Sequence, residues 1–138
     1  MGAQGSLTGF YQKRDLLYAG QPNAPALGSQ GRGLLQAGLL DGALEMFVKA
    51  GDTAGIAQTV EAARSAGDAF TFEAALKALG KTAAPAEWVA VGETALGAGL
   101  LWFAYRAFEK ADNQEGLDRT RAQMASAGIN PPAQGPAA

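Results

Sequence analysis

The 138-residue chain contains no cysteine and no histidine. Without cysteine there can be no disulfide, no thiol nucleophile and no thiolate metal site. Without histidine the commonest general base and metal ligand are missing, and a Ser-His-Asp triad is impossible. Strand-forming residues are also scarce: 4 Val, 2 Ile and 7 Thr stand against 31 Ala and 15 Leu. Ala and Leu favour helix, so the composition predicts an all-α fold with thin, closely packed helices. Charged residues make up only 17%, and the net charge is −2 with a pI of about 5.0. Phosphate backbones are held by basic surfaces, so nucleic acid is not expected as a partner. No uncharged apolar run reaches the roughly 18 residues of a membrane span. Gln12, Lys13, Arg14 and Asp15 break up the beginning of the chain, so no signal peptide is expected and the location implied is cytoplasmic.

What is present is a repeat. When residues 37–67 are placed over residues 98–128, an offset of 61, thirteen of 31 positions are identical. They include Gly38/Gly99, Ala43/Ala104, Phe47/Phe108, Ala50/Ala111, Gly55/Gly116, Thr59/Thr120 and Gly67/Gly128. This composition alone would produce roughly three matches. An offset of 61 suits two consecutive units of about 30 residues. A middle unit does lie between the copies: Gly67, Phe72, Leu76 and Leu79 fall where Gly38, Ala43, Phe47 and Ala50 fall in the first. The units are residues 24–52, 53–84 and 85–113, followed by a half-unit over 114–128.

Each unit follows one pattern. A first helix carries apolar residues at helical spacing and is closed by Gly38, Gly67, Gly99 or Gly128. Glycine there can take the left-handed conformation that ends a helix. A second helix follows, with Ala43-Phe47-Ala50, Phe72-Leu76-Leu79 or Ala104-Phe108-Ala111 on one face. Gly31 and Gly92 remove side chains where helices would collide, and Phe47 and Phe108 fill the space between hairpins. Burying each ring stabilises the fold by roughly 1.5–3 kcal/mol.

On these residues the chain resembles a tetratricopeptide repeat protein over about residues 24–128. The third unit matches the signature at Trp88, Val91, Gly92, Gly99, Ala104, Phe108 and Ala111, and the first at Leu27, Gly31, Leu34, Gly38, Ala43, Phe47 and Ala50. The second departs from it, with Val60 where Gly31 and Gly92 stand and Phe72 where Ala43 and Ala104 stand. The units are also shorter than the usual 34 residues or so. The resemblance implies a right-handed α-solenoid of about three helical hairpins with capping helices at both ends. The domain would run over 8–128, with residues 8–20 as N-terminal cap, 114–128 as C-terminal cap, a flexible stretch at 1–7 and a disordered Pro/Ala tail at 129–138.

The resemblance also implies a function, a non-catalytic adaptor that binds a partner peptide or helix along its first helices. The positions that would line such a groove are Gly28, Arg32 and Leu35; Ala57, Glu61 and Arg64; and Val89, Glu93 and Leu96. Glu61 and Glu93 would repel a peptide carboxylate, which disfavours the family's clamp for acidic C-terminal tails. A second expected surface is the run Leu100-Leu101-Trp102-Phe103-Ala104-Tyr105. Trp102, Phe103 and Tyr105 span about 300° of a helix, so at least one must point outward unless a neighbouring helix covers it. Docking there would make the chain a subunit of a larger assembly or a homo-oligomer. Catalysis has little to stand on. Carboxylates occur singly, no metal or cofactor motif is present, and the glycines of residues 28–33 follow no strand, so they make no phosphate loop. Met1-Gly2-Ala3-Gln4-Gly5-Ser6 fits the N-myristoylation pattern loosely.

Overall fold

The computed structural model describes residues 23–132. The expected N-terminal cap, the flexible start with Gly2, and residues 133–138 of the tail lie outside that range. The described residues are all-helical, with no strand among them. Seven helices follow in order: α1 (Ala24–Gln36), α2 (Leu40–Ala50), α3 (Thr53–Ala66), α4 (Ala69–Ala78), α5 (Pro85–Gly97), α6 (Leu101–Ala111) and α7 (Gln114–Ser126). Pro25 and Pro85 stand in the first turns of α1 and α5, where the missing N–H costs nothing. The sequence reading places these helices in one domain. They group into two compact units, one of residues 23–63 with Thr71–Thr82, the other of Arg64–Phe70 with residues 83–132.

The turns explain why the helices stop where they do. Gly38, Gly67, Gly99 and Gly128 have φ of 80°, 74°, 77° and 78°, a region closed to most side chains. After α2 the chain turns through Gly51 (φ 67°), but after α6 it turns through Asp112 (φ 54°), the one described non-glycine residue with positive φ. Asp tolerates this conformation better than most residues. The start of the expected tail is still tied down, because the Ile129 N–H donates to the Met124 carbonyl at 2.8 Å.

Helix boundaries recur at the offset seen in the sequence. Adding 61 to the bounds of α1 and α2 produces those of α5 and α6, and α7 begins 61 residues after α3. The contacts recur as well. In the first unit the Phe47 ring lies against α1 at Gly31 and against α3 at Gly55; a Cβ on Gly31 would come within 2.7 Å of the ring, and one on Gly55 closer still. In the second unit Phe108 lies in the same way against Gly92 of α5, where a Cβ would come within 2.8 Å, and against Gly116 of α7. Phe47 and Phe108 are both fully buried. The Asp52 carboxylate accepts the Gly55 N–H at 2.9 Å, and the Asn113 side chain accepts the Gly116 N–H at 2.7 Å, so α3 and α7 start on equivalent caps. Thr59 and Thr120, both fully buried, donate their hydroxyls to the carbonyls of Gly55 and Gly116 at 2.9 and 2.8 Å.

Two of the positions at which the segments differ are linked. Leu44 and Val60 are buried in the first unit. Their counterparts are Tyr105 and Arg121, whose guanidinium lies 5.5 Å from the Tyr105 ring and donates to its hydroxyl at 3.2 Å. A cation over an aromatic ring needs only partial burial to be favourable, and this corner of α6 and α7 is accordingly more open.

The glycine contacts predict opposite outcomes two residues apart. Gly31→Ala must push Phe47 aside and lowers stability by about 1–3 kcal/mol. Gly33→Ala, in the same helix with nothing within 4 Å of its Cβ, raises stability by roughly 0.5–1 kcal/mol through helix propensity. Urea denaturation of the two variants checks the sign of each.

Candidate functional site

The residues expected to line a groove are brought to very different environments. In the first unit Arg32 of α1 is exposed and donates from Nη1 to Asp52 Oδ2 at 3.2 Å, and Asp52 also caps α3. Gly28 is buried and Leu35 half-buried, whereas Ala57 and Glu61 on α3 are exposed. In the second unit Leu96 is buried with Ala95, Ala104, Phe108 and Leu117, and Val89 packs against that cluster. Leu96 therefore has no surface to offer a ligand. At this position the helix turns toward α6 and α7, so a leucine there serves the core.

The charges in this set are largely used within the chain. Arg64, at the end of α3, donates to Glu87 Oε2 in the first turn of α5 at 3.1 Å. The other Glu87 oxygen accepts the Ala84 N–H at 2.9 Å, closing the start of α5. The Ala84 N–H and the Arg64 guanidinium hold the Glu87 carboxyl below its ordinary pKa. Glu93 of α5 pairs with Arg119 of α7 through two hydrogen bonds, one from Nη1 at 3.2 Å and one from Nη2. That pairing lowers the Glu93 pKa and raises that of Arg119. Arg119 also lies over the Phe108 ring at 5.7 Å, so the ion pair roofs the buried phenylalanine. The partners of these three ion pairs lie 20, 23 and 26 residues away in sequence, a separation that no local spacing rule covers.

The aromatic run behaves differently. Trp102 is 50% exposed, Leu100 38% and Phe70, from the start of α4, 48%. Phe103 and Tyr105 are half-buried against the Leu96–Phe108 cluster. Phe70 meets Phe103 edge-on at 5.4 Å, and Trp102 meets Tyr105 edge-on at 6.4 Å. Leu100, Leu101, Trp102 and Phe103 line a shallow, almost wholly apolar depression of ≈ 200 Å³. This surface lies entirely within the second unit. Sequence reasoning missed Phe70, which comes from a different hairpin; its position three residues after Gly67, where Trp102 stands after Gly99, was the available signal.

Among the described residues no three acidic side chains gather to hold a metal, and no helix is long and apolar enough to cross a membrane. The chain matches no protein-family model, no curated protein and no solved structure.

The two lowered carboxyl pKa values predict a pH response. A carboxylate whose folded pKa lies below its unfolded value stabilises fully above the unfolded value, about 4.3. That contribution is lost as pH falls through the folded value. Thermal melts from about pH 6 to about pH 3 should therefore show a falling Tm, with a shallower decline in Glu87→Gln/Glu93→Gln than in the parent chain.

Proposed function

We propose that this chain is a stack of tetratricopeptide-like helical hairpins, arranged as a short α-solenoid, that acts by binding another protein without chemistry on it. The observation that carries the reading is the uncovered aromatic surface of the second unit, with Trp102 and Phe70 about half exposed beside Leu100. Exposed aromatics gathered on one face of a small protein mark interaction sites, and tryptophan is enriched among the residues that dominate binding energy. The helix-pair grammar, with glycine-closed first helices and a phenylalanine set between glycines at an offset of 61, supports the hairpin reading.

Recognition is assigned to the aromatic surface over the first-helix positions. Arg32, Arg64 and Glu93 already have partners within the chain, and Leu96 is buried. Breaking such pairs to admit a peptide costs free energy that an uncovered indole does not. Capture along the first helices keeps one argument, the exposure of Ala57 and Glu61 next to half-buried Leu35.

A pull-down from extracts of the source cells separates the two. With purified wild-type chain as bait, Trp102→Ala should remove most of the captured protein, a loss of tenfold or so, while Glu61→Arg leaves capture unchanged. The reverse pattern would move recognition to the first helices, and capture indistinguishable from blank beads would end the proposal.

A further inference from the structure

We infer that the aromatic surface of the second unit takes a second copy of this chain, docked about a two-fold axis. The inference rests on the reading that this surface is a recognition surface and names its occupant. Shape is the first argument. The ≈ 200 Å³ depression lined by Leu100, Leu101, Trp102 and Phe103 is smaller than the roughly 300–1,000 Å³ of small-molecule pockets, and it is apolar and open. Its size suits one aromatic side chain. Trp102, half exposed, forms part of its lining, so the same surface offers both an uncovered ring and a recess. A two-fold interface uses one patch twice and needs that kind of self-complementarity, with each indole entering the recess of the other copy.

Charge is the second argument. Any charge near a two-fold axis meets its own image, so a self-docking surface must be neutral or internally paired. The six residues Leu100–Tyr105 carry no charge. Arg106 beside the run pairs with Glu109 at 3.0 Å, and Arg121, which reaches Tyr105, pairs with Asp118 at 3.5 Å. A partner of distinct sequence could be selected by a charge of one sign, and the run Leu100–Tyr105 provides none.

Area is the third. A half-exposed aromatic leaves roughly 75–125 Å² uncovered, so Phe70, Trp102 and the leucines beside them supply roughly 300 Å² of apolar surface per copy. That suffices for the centre of an interface of about 800 Å² per partner with a polar rim, and suits a reversible dimer with a dissociation constant on the order of micromolar.

Sedimentation velocity on the full chain, from about 1 μM to about 1 mM, reads the result directly. The wild-type chain should pass from monomer to dimer, and Trp102→Ala and Phe70→Ala should each weaken dimerisation about tenfold or more. Both side chains are half exposed, so the variants should keep the parent's circular-dichroism spectrum. Leu39→Ala, which removes the exposed leucine of the first unit, should leave the dimer unchanged. Fluorescence supplies a second readout: of the two tryptophans Trp88 is buried, so emission should shift to the red on dilution through the dissociation constant as Trp102 is uncovered. A chain that stays monomeric throughout, or a dimer indifferent to Trp102→Ala and Phe70→Ala, overturns the inference. A monomer whose pull-down still depends on Trp102 overturns self-association alone, and a pull-down that depends instead on Glu61 overturns the function proposed above.

Discussion

A phenylalanine ring laid directly on helix backbone is the contact on which each compact unit depends. Phe47 touches two helices where Gly31 and Gly55 carry no side chain, and Phe108 does the same at Gly92 and Gly116. The glycines set how closely three helices approach, and the ring fills the space their absent side chains leave. Neither partner works alone: without the glycines the ring has nowhere to go, and without the ring the glycines leave a void and a helix of poorer propensity. The buried hydroxyls of Thr59 and Thr120, bonded to the carbonyls of the same glycines, keep the adjoining polar groups satisfied.

Around that contact, polar side chains are occupied with joining helices. Asp52 caps α3 and receives Arg32; Glu87 closes α5 and receives Arg64; Glu93 receives Arg119, which covers Phe108. A small chain with 17% charged residues has few such groups, and those named here join its own helices. The apolar residues at the turns, Leu100, Trp102 and Phe70, are under no such constraint. The proposed recognition through uncovered hydrophobic surface draws on this division.

Much of the helical layout was legible from residue spacing. Glycine at the close of each first helix and proline at the start of α5 mark turns and a helix start that the structure also has. The two compact units were less legible, because the α3–α4 turn belongs with the second unit although its helices are mostly in the first. The candidate site was legible in part. The helical wheel called for an outward aromatic among Trp102, Phe103 and Tyr105 unless a neighbouring helix covered it, and Trp102 is the one most exposed. Leu96 and Phe70 were misjudged or missed for one reason: burial depends on which helix arrives alongside, and that helix comes from elsewhere in the chain.

The sequence alone determined the all-helical class and the glycine turn positions, because propensity and left-handed turns act over a few residues at a time. Which charges pair, which leucine enters the core and which aromatic stays in water were decided only in three dimensions. Those outcomes hang on distances between groups 20 or more residues apart, and such distances exist only once the helices have packed.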